Sequence, residues 1–189
     1  MYNPESKNPF SYFGMEPHFD IDLEKLDQAY FKGQKEYHPD RYAHKNREQK
    51  KDAQIISSVL NLAYGELKDP ILRAKTLLKT LSPDAPWIED ETYMDEEILM
   101  QMMVVRETLE AASNPLEAKR IVEDMQHQMD IETRNMSAAF ASRDTERLRR
   151  SITRALYVRK VLNEAQRLLR RPFMQEQNAD HNTAQNSSH

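Results

Sequence analysis

His38, Asp40 and His44 fall within seven residues of one another in the stretch EYHPDRYAHK (36–45). Three kinds of chemistry use such a set. A carboxylate that orients an imidazole can make a general base. Imidazole and carboxylate are also zinc and iron ligands. Polar side chains fixed by a proline can instead be gripped by another protein at little ordering cost. General-base work needs a nucleophile or a bound substrate in a pocket that excludes water. No G-x-S-x-G, paired-carboxylate site or phosphate-cradling loop occurs, and the chain of 189 residues has three glycines in all, which excludes a Walker-type loop. A metal-dependent hydrolase using His38, Asp40 and His44 is the alternative reading. Their spacing matches no H-E-x-x-H pair, and Pro39 splays the first two side chains.

The elements around these residues favour a handle. Asp22 is a fitting N-cap for a helix over 23–37, with Leu23, Leu26, Tyr30, Gly33 and Tyr37 on one stripe. Lys32 and Lys35 lie off that stripe, facing solvent. Pro39 pushes His38 out of the helical region and ends the helix. A charged stretch follows, then a helix over about 50–69 with Ile56, Val59, Leu60, Ala63 and Leu67 inward. Pro70 interrupts it, and a third amphipathic piece, ILRAKTLLKTL, carries Leu72, Leu77, Leu78 and Leu81. Two helices joined by a short polar loop form an antiparallel hairpin with His38-Pro39-Asp40 at its exposed tip.

Composition points the same way. Few glycines, ten methionines and 31% charged residues imply an all-α protein. The N-terminus MYNPESKNPF has no apolar core of a signal peptide, and no run approaches the roughly 18 apolar residues of a membrane span. With no cysteine there is neither disulfide nor thiolate ligand and nothing marks the chain as secreted, so a cytoplasmic protein is expected, and separately a monomer without a metal or other cofactor. Net charge is −4, against nucleic-acid binding. Its distribution alternates: eight Lys/Arg to four Asp/Glu over 25–51, ten acids to Arg106 alone over 82–117, and ten basic to three acidic residues over 143–171. Helices of opposite sign can therefore lie side by side.

SPDAPWIEDETY (82–93) reads as an acidic linker. Helices over about 94–112, 115–141 and 145–171 follow, the last capped by Asp144, and short connections make them an antiparallel three-helix bundle. The tail over 172–189 is polar, with the composition of a disordered segment. In the first bundle helix Ile98, Met102, Val105, Leu109 and Ala112 form the inward stripe. Leu99, Met100, Met103 and Val104 are surplus, a contiguous apolar surface suited to docking that Tyr157 and Val161 could extend.

AYFKGQKEYHPDRY (29–42) resembles the second helix and loop of a J domain, the module that stimulates DnaK-type ATPase chaperones. LNLAYGELKDPILRA (60–74) is similar to that domain's third helix and Asp-Pro end, and NPFSYFGM to its start, with Phe10, Phe13 and Met15 in the core. The resemblance covers about residues 8–76 and implies chaperone contact through His38, Pro39 and Asp40. Lys32, Lys35 and Arg41 would add positive charge suited to an acidic patch on the chaperone. Phe31 stands where J domains commonly carry a basic residue. Gly33 stands where leucine is common, which predicts looser packing and about 1 kcal/mol less helix propensity.

The order of the two halves resembles the HscB-type co-chaperones of iron–sulfur cluster assembly, whose C-terminal bundle binds the scaffold IscU and delivers it to a dedicated DnaK-like chaperone. ILMQMMVVRETL (98–109) is similar to the scaffold-binding helix, and RALYVRKVLNEAQRL (154–168) to the last helix. The resemblance implies scaffold contact through Leu99, Met100 and Met103, with Glu107 on the rim and Tyr157 added from the last helix. Val104 and Ala111 occupy positions where the family can carry glutamates. The expectation is a J domain (8–76), a helix end with acidic linker (77–93) and a client-binding three-helix bundle (94–171). Such a chain is not an enzyme. It would activate the ATPase of a DnaK/HscA-type chaperone and hand it an IscU-type scaffold. A different client, or a bundle serving only dimerisation, remains open at this point.

Overall fold

The computed structural model describes residues 8–82, 96–112 and 114–170, and every regular element among them is helical. A 3-10 turn at Pro9–Phe13 precedes α1 (Leu23–Tyr37). A second 3-10 turn, Pro39–Tyr42, leads to α2 (Arg47–Lys68), and α3 (Pro70–Leu81) follows. The second half comprises α4 (Glu96–Glu110), α5 (Pro115–Ala141) and α6 (Thr145–Arg170). The acidic linker beyond residue 82 and the polar tail lie outside the described residues.

Short polar side chains set the helix starts. Asp22 Oδ1 accepts the Glu24 and Lys25 N–H groups, each at 3.1 Å. Asn114 Oδ1 accepts those of Leu116 and Glu117, and Asp144 Oδ1 that of Arg147. Asn46 caps α2 through the Gln49 N–H, so that helix starts three residues before the expected Lys50. Prolines open α3 and α5 at the first turn, where a missing N–H costs nothing.

α1 and α2 form the expected antiparallel hairpin, but polar groups do much of the joining. Tyr30 stacks on Tyr64 with ring centroids 4.0 Å apart. The Tyr64 hydroxyl and the Lys68 ammonium both donate to Asp27. Gln34 Nε2 and the Tyr30 hydroxyl donate to Asn61 Oδ1, and the Ser57 hydroxyl donates to Gln34 Oε1. Leu23, expected on the inner stripe, is exposed, because α2 meets α1 along Asp27, Tyr30 and Gln34 instead. The looser packing expected at Gly33 is not found. Leu60 Cδ1 lies 2.8 Å from where a Cβ on residue 33 would sit, so leucine from the other helix fills the space.

α3 reaches across to the second half. Ile71, Ala74, Leu77 and Leu78 share one buried cluster with Phe10, Phe19, Leu26 and Leu67 on one side and Met136, Ala139, Leu148, Ile152 and Ala155 on the other. Leu72, expected inward, is exposed, and Ile71 takes its place because α3 turns that edge to α5 and α6. Arg73 is buried too. It donates to the Leu67 carbonyl at the end of α2 and lies over the Phe19 ring, and burial pulls its pKa down. Polar ties reinforce the seam: the Ser137 hydroxyl donates to Asp20, and Arg159 donates to Asp69 at 2.7 Å.

A second cluster holds α4 in the bundle. Ile98, Met102 and Leu109 pack on Ile121 and Met125 of α5 and on Val158, Val161 and Ala165 of α6, with Val105 partly buried beside them. Glu97–Arg150 at 2.6 Å and Arg106–Glu164 at 3.3 Å pair the acidic helix with the basic one, and their order makes α4 and α6 parallel. Between the two clusters sits Glu132, 1% exposed, bonded to Arg154 and Asn135.

Candidate functional site

The hairpin tip is built by its own backbone and three side chains. α1 ends at Tyr37 and His38 turns extended (φ −61°, ψ 131°), as a residue before proline must. Pro39 then opens the 3-10 turn. His38 Nδ1 accepts the Asp40 N–H at 3.3 Å, so the imidazole caps that turn. Asp40 Oδ2 lies 3.6 Å from the same Nδ1, and the Asp40 side chain is 90% exposed. Arg41 reaches back and donates to the Lys35 carbonyl at 2.9 Å, closing the end of α1. It therefore has a structural duty besides its charge.

Lys32 and Lys35 are exposed on the outer face of α1, as expected from their position off the stripe, with Phe31 also open to water. His38, Pro39 and Asp40 are all exposed, which is the opposite of a water-excluding pocket. His44 follows in the turn before α2. Among the described residues no three His, Cys, Asp or Glu side chains gather as metal ligands, so the hydrolase alternative lacks its ligand set.

The second surface is the outer side of α4. Met100, Met103 and Val104 are 70%, 54% and 62% exposed, and spacings of three and four put them on one face of the helix. Leu99 is half-buried beside them, and Glu107 is exposed one turn further on. Tyr157 is half-buried against the bundle core. Val161 is corrected: it is buried, because α6 turns that side towards α4, and it extends no surface. The structure thus separates an exposed polar tip on a charged helix from an exposed apolar strip on another.

Residues 94–166 match the family model described as the HSCB C-terminal oligomerisation domain. The chain is 37% identical over 160 residues to the co-chaperone protein HscB homolog of Neisseria meningitidis, covering 82% of this chain and 95% of that one. The chain belongs to the HscB co-chaperone family. An HscB homolog from Colwellia psychrerythraea is 38% identical over 103 residues, 54% of this chain and 58% of its own. The fold agrees with solved HscB structures. The human protein superposes with a TM-score of 0.80 at 26% identity, covering 87% of this chain and 83% of that one. HscB from Vibrio cholerae gives 0.74 at 26%, covering 85% and 96%. The all-α reading and the HscB resemblance drawn from the sequence both hold.

Sequence reasoning missed two features of this HscB-family chain. The polar seam of the hairpin does carry a signal, since Ser57, Asn61, Tyr64 and Lys68 recur at spacings of four, three and four. Glu132 is concealed among Met125, Met129 and Met136, the stripe it completes.

Proposed function

We propose that this chain stimulates the ATPase of a DnaK/HscA-type chaperone through the tip of its α1–α2 hairpin and brings that chaperone an IscU-type iron–sulfur scaffold held on α4. It does no catalysis itself. Residues 8–76 act as the J domain, with His38, Pro39 and Asp40 as the contact and Lys32, Lys35 and Arg41 drawing the tip towards an acidic surface. Residues 94–171 form the client-binding bundle, where Leu99, Met100 and Met103 meet the scaffold, Glu107 borders the contact and Tyr157 joins from α6. The protein works as a cytoplasmic monomer. No helix among the described residues is long and apolar enough to cross a membrane.

One observation carries the reading: an exposed tip tied down by hydrogen bonds between its side chains and backbone coexists, on a member of the HscB family, with an exposed apolar strip on the bundle. A rigid polar handle binds a partner without a large ordering cost, and an adaptable methionine face suits a protein client. The test is calorimetric titration against the IscU-type scaffold of the same organism, alongside ATPase assays of the matching chaperone. Saturable one-to-one binding and loss of ATPase stimulation by Asp40→Asn, at unchanged helix content, are expected. Full stimulation by Asp40→Asn would sink the role of the tip.

A further inference from the structure

The chain has ten methionines and no cysteine, so the thioether is its only side-chain sulfur chemistry. Those the structure describes divide sharply. Met102, Met125 and Met136 are buried at 8%, 6% and 0% exposure, and Met15 and Met129 are partly buried against the core. Among the described residues only Met100 and Met103 are open to solvent, at 70% and 54%. They stand one helical turn apart on the strip of α4, and buried Met102 lies between them in sequence.

We propose that Met100 and Met103 form an oxidation switch on the client surface. This rests on the client-binding role given to α4 above. The oxidant is a peroxide. With hydrogen peroxide, a sulfur lone pair forms the new S–O bond as the O–O bond breaks. The sulfur is oxidised by two electrons to the sulfoxide, and the peroxide is reduced to water. The site follows from access alone, since a core thioether is shielded by its packing.

The product changes what the strip can do. A sulfoxide is a strong hydrogen-bond acceptor, and an apolar client surface has no donor to meet it, so docking would bury an unsatisfied polar group. The fold is untouched, because both side chains already lie in water. The oxidised chain keeps its hairpin tip and loses its client. Methionine sulfoxide reductases remove the oxygen, which makes the switch reversible.

The test treats the full chain with limiting hydrogen peroxide, locates oxygen by peptide mass spectrometry, and titrates the product against purified IscU-type scaffold. Met100 and Met103 should gain oxygen before Met102, Met125 and Met136. Affinity should fall by at least about tenfold, the loss from one uncompensated polar group in an interface. The melting temperature should not move, and reductase treatment should restore binding. Whatever affinity the M100L/M103L variant starts from, peroxide should not lower it further. Unchanged affinity of the chain oxidised at both sites, or oxidation spread evenly over buried and exposed methionines, overturns the switch. No binding by the untreated chain would instead overturn the client reading, and the switch with it.

Discussion

Asp69 uses a single carboxylate oxygen for two tasks. Oδ1 accepts the Ile71 and Leu72 N–H groups at 2.9 and 3.0 Å, capping α3, and accepts Arg159 Nη2 of α6 at 2.7 Å. Loss of an N-cap costs about 1 kcal/mol. A hydrogen bond to a charged group contributes about 1.5–3 kcal/mol, and the low end applies here. The Arg159 and Asp69 side chains are 32% and 29% exposed, so water screens the pair. Asp69→Ala should therefore destabilise the protein by about 2–3 kcal/mol. Asp69→Asn keeps the cap, because asparagine serves as well as aspartate there, and gives up only the charge, at about 1 kcal/mol. Urea unfolding followed by far-UV circular dichroism measures both. A double-mutant cycle with Arg159→Ala should return about 1 kcal/mol of coupling. If the two Asp69 variants lose the same stability within about 0.3 kcal/mol, the capping argument is wrong. A cycle showing no coupling would refute the tie between α3 and α6.

Arg154→Ala leaves the buried Glu132 carboxylate without its cation, and should cost about 3 kcal/mol in urea unfolding; a loss below about 1 kcal/mol would mean the charge is not sealed in the core. Hydrogen bonds from Lys68 and then Tyr64 hold the Asp27 carboxyl below its ordinary pKa, while Asp27 raises that of Lys68. A depressed carboxyl pKa gives stability above its unfolded value that is lost as pH falls through the folded one. A raised lysine pKa gives stability below its unfolded value that is lost as pH rises through the folded one. The stability difference between the parent chain and Asp27→Asn should thus be flat near neutrality, begin to shrink only below about pH 4 and above about pH 10.5, and shrink further as pH passes the folded-state values beyond those limits; a difference unchanged at both extremes would show that charge is not its source. Leu99→Ala with Met103→Ala should weaken scaffold binding in calorimetry and leave ATPase stimulation measured without scaffold intact, and equal affinity would remove the strip.

Helix boundaries were legible because local chemistry sets them. Asp22, Asn114 and Asp144 cap, Pro39 and Pro70 interrupt, and none of these needs a partner helix to act. The inward stripe of α4 was equally plain, since Ile98, Met102 and Leu109 differ from their neighbours in both period and partner. Which edge of a helix is covered depends on what crosses it. The seam with α5 and α6 takes Ile71, in register with Ala74 and Leu78 at spacings of three and seven, and leaves its neighbour Leu72 out. Val161 looked free for the same reason. Polar packing was the larger gap: Gln34, Ser57 and Asn61 belong to no apolar stripe, yet they satisfy one another across the hairpin. His38, Pro39 and Asp40 could be placed at the tip from sequence, but the return of Arg41 to the Lys35 carbonyl could not, because it depends on the depth of the turn.

The cluster that runs from Phe10 and Leu26 through Ile71 and Leu77 to Met136 and Ile152 joins the hairpin half and the bundle, among the described residues, in one continuous core. Such a body behaves as a gauge block. The span from the hairpin tip to α4 is then set by the fold, and on the proposed reading a chaperone and a client bound together would be held at that spacing. On that reading a change in their separation would come from motion within the partners, with this chain as the fixed length against which they move.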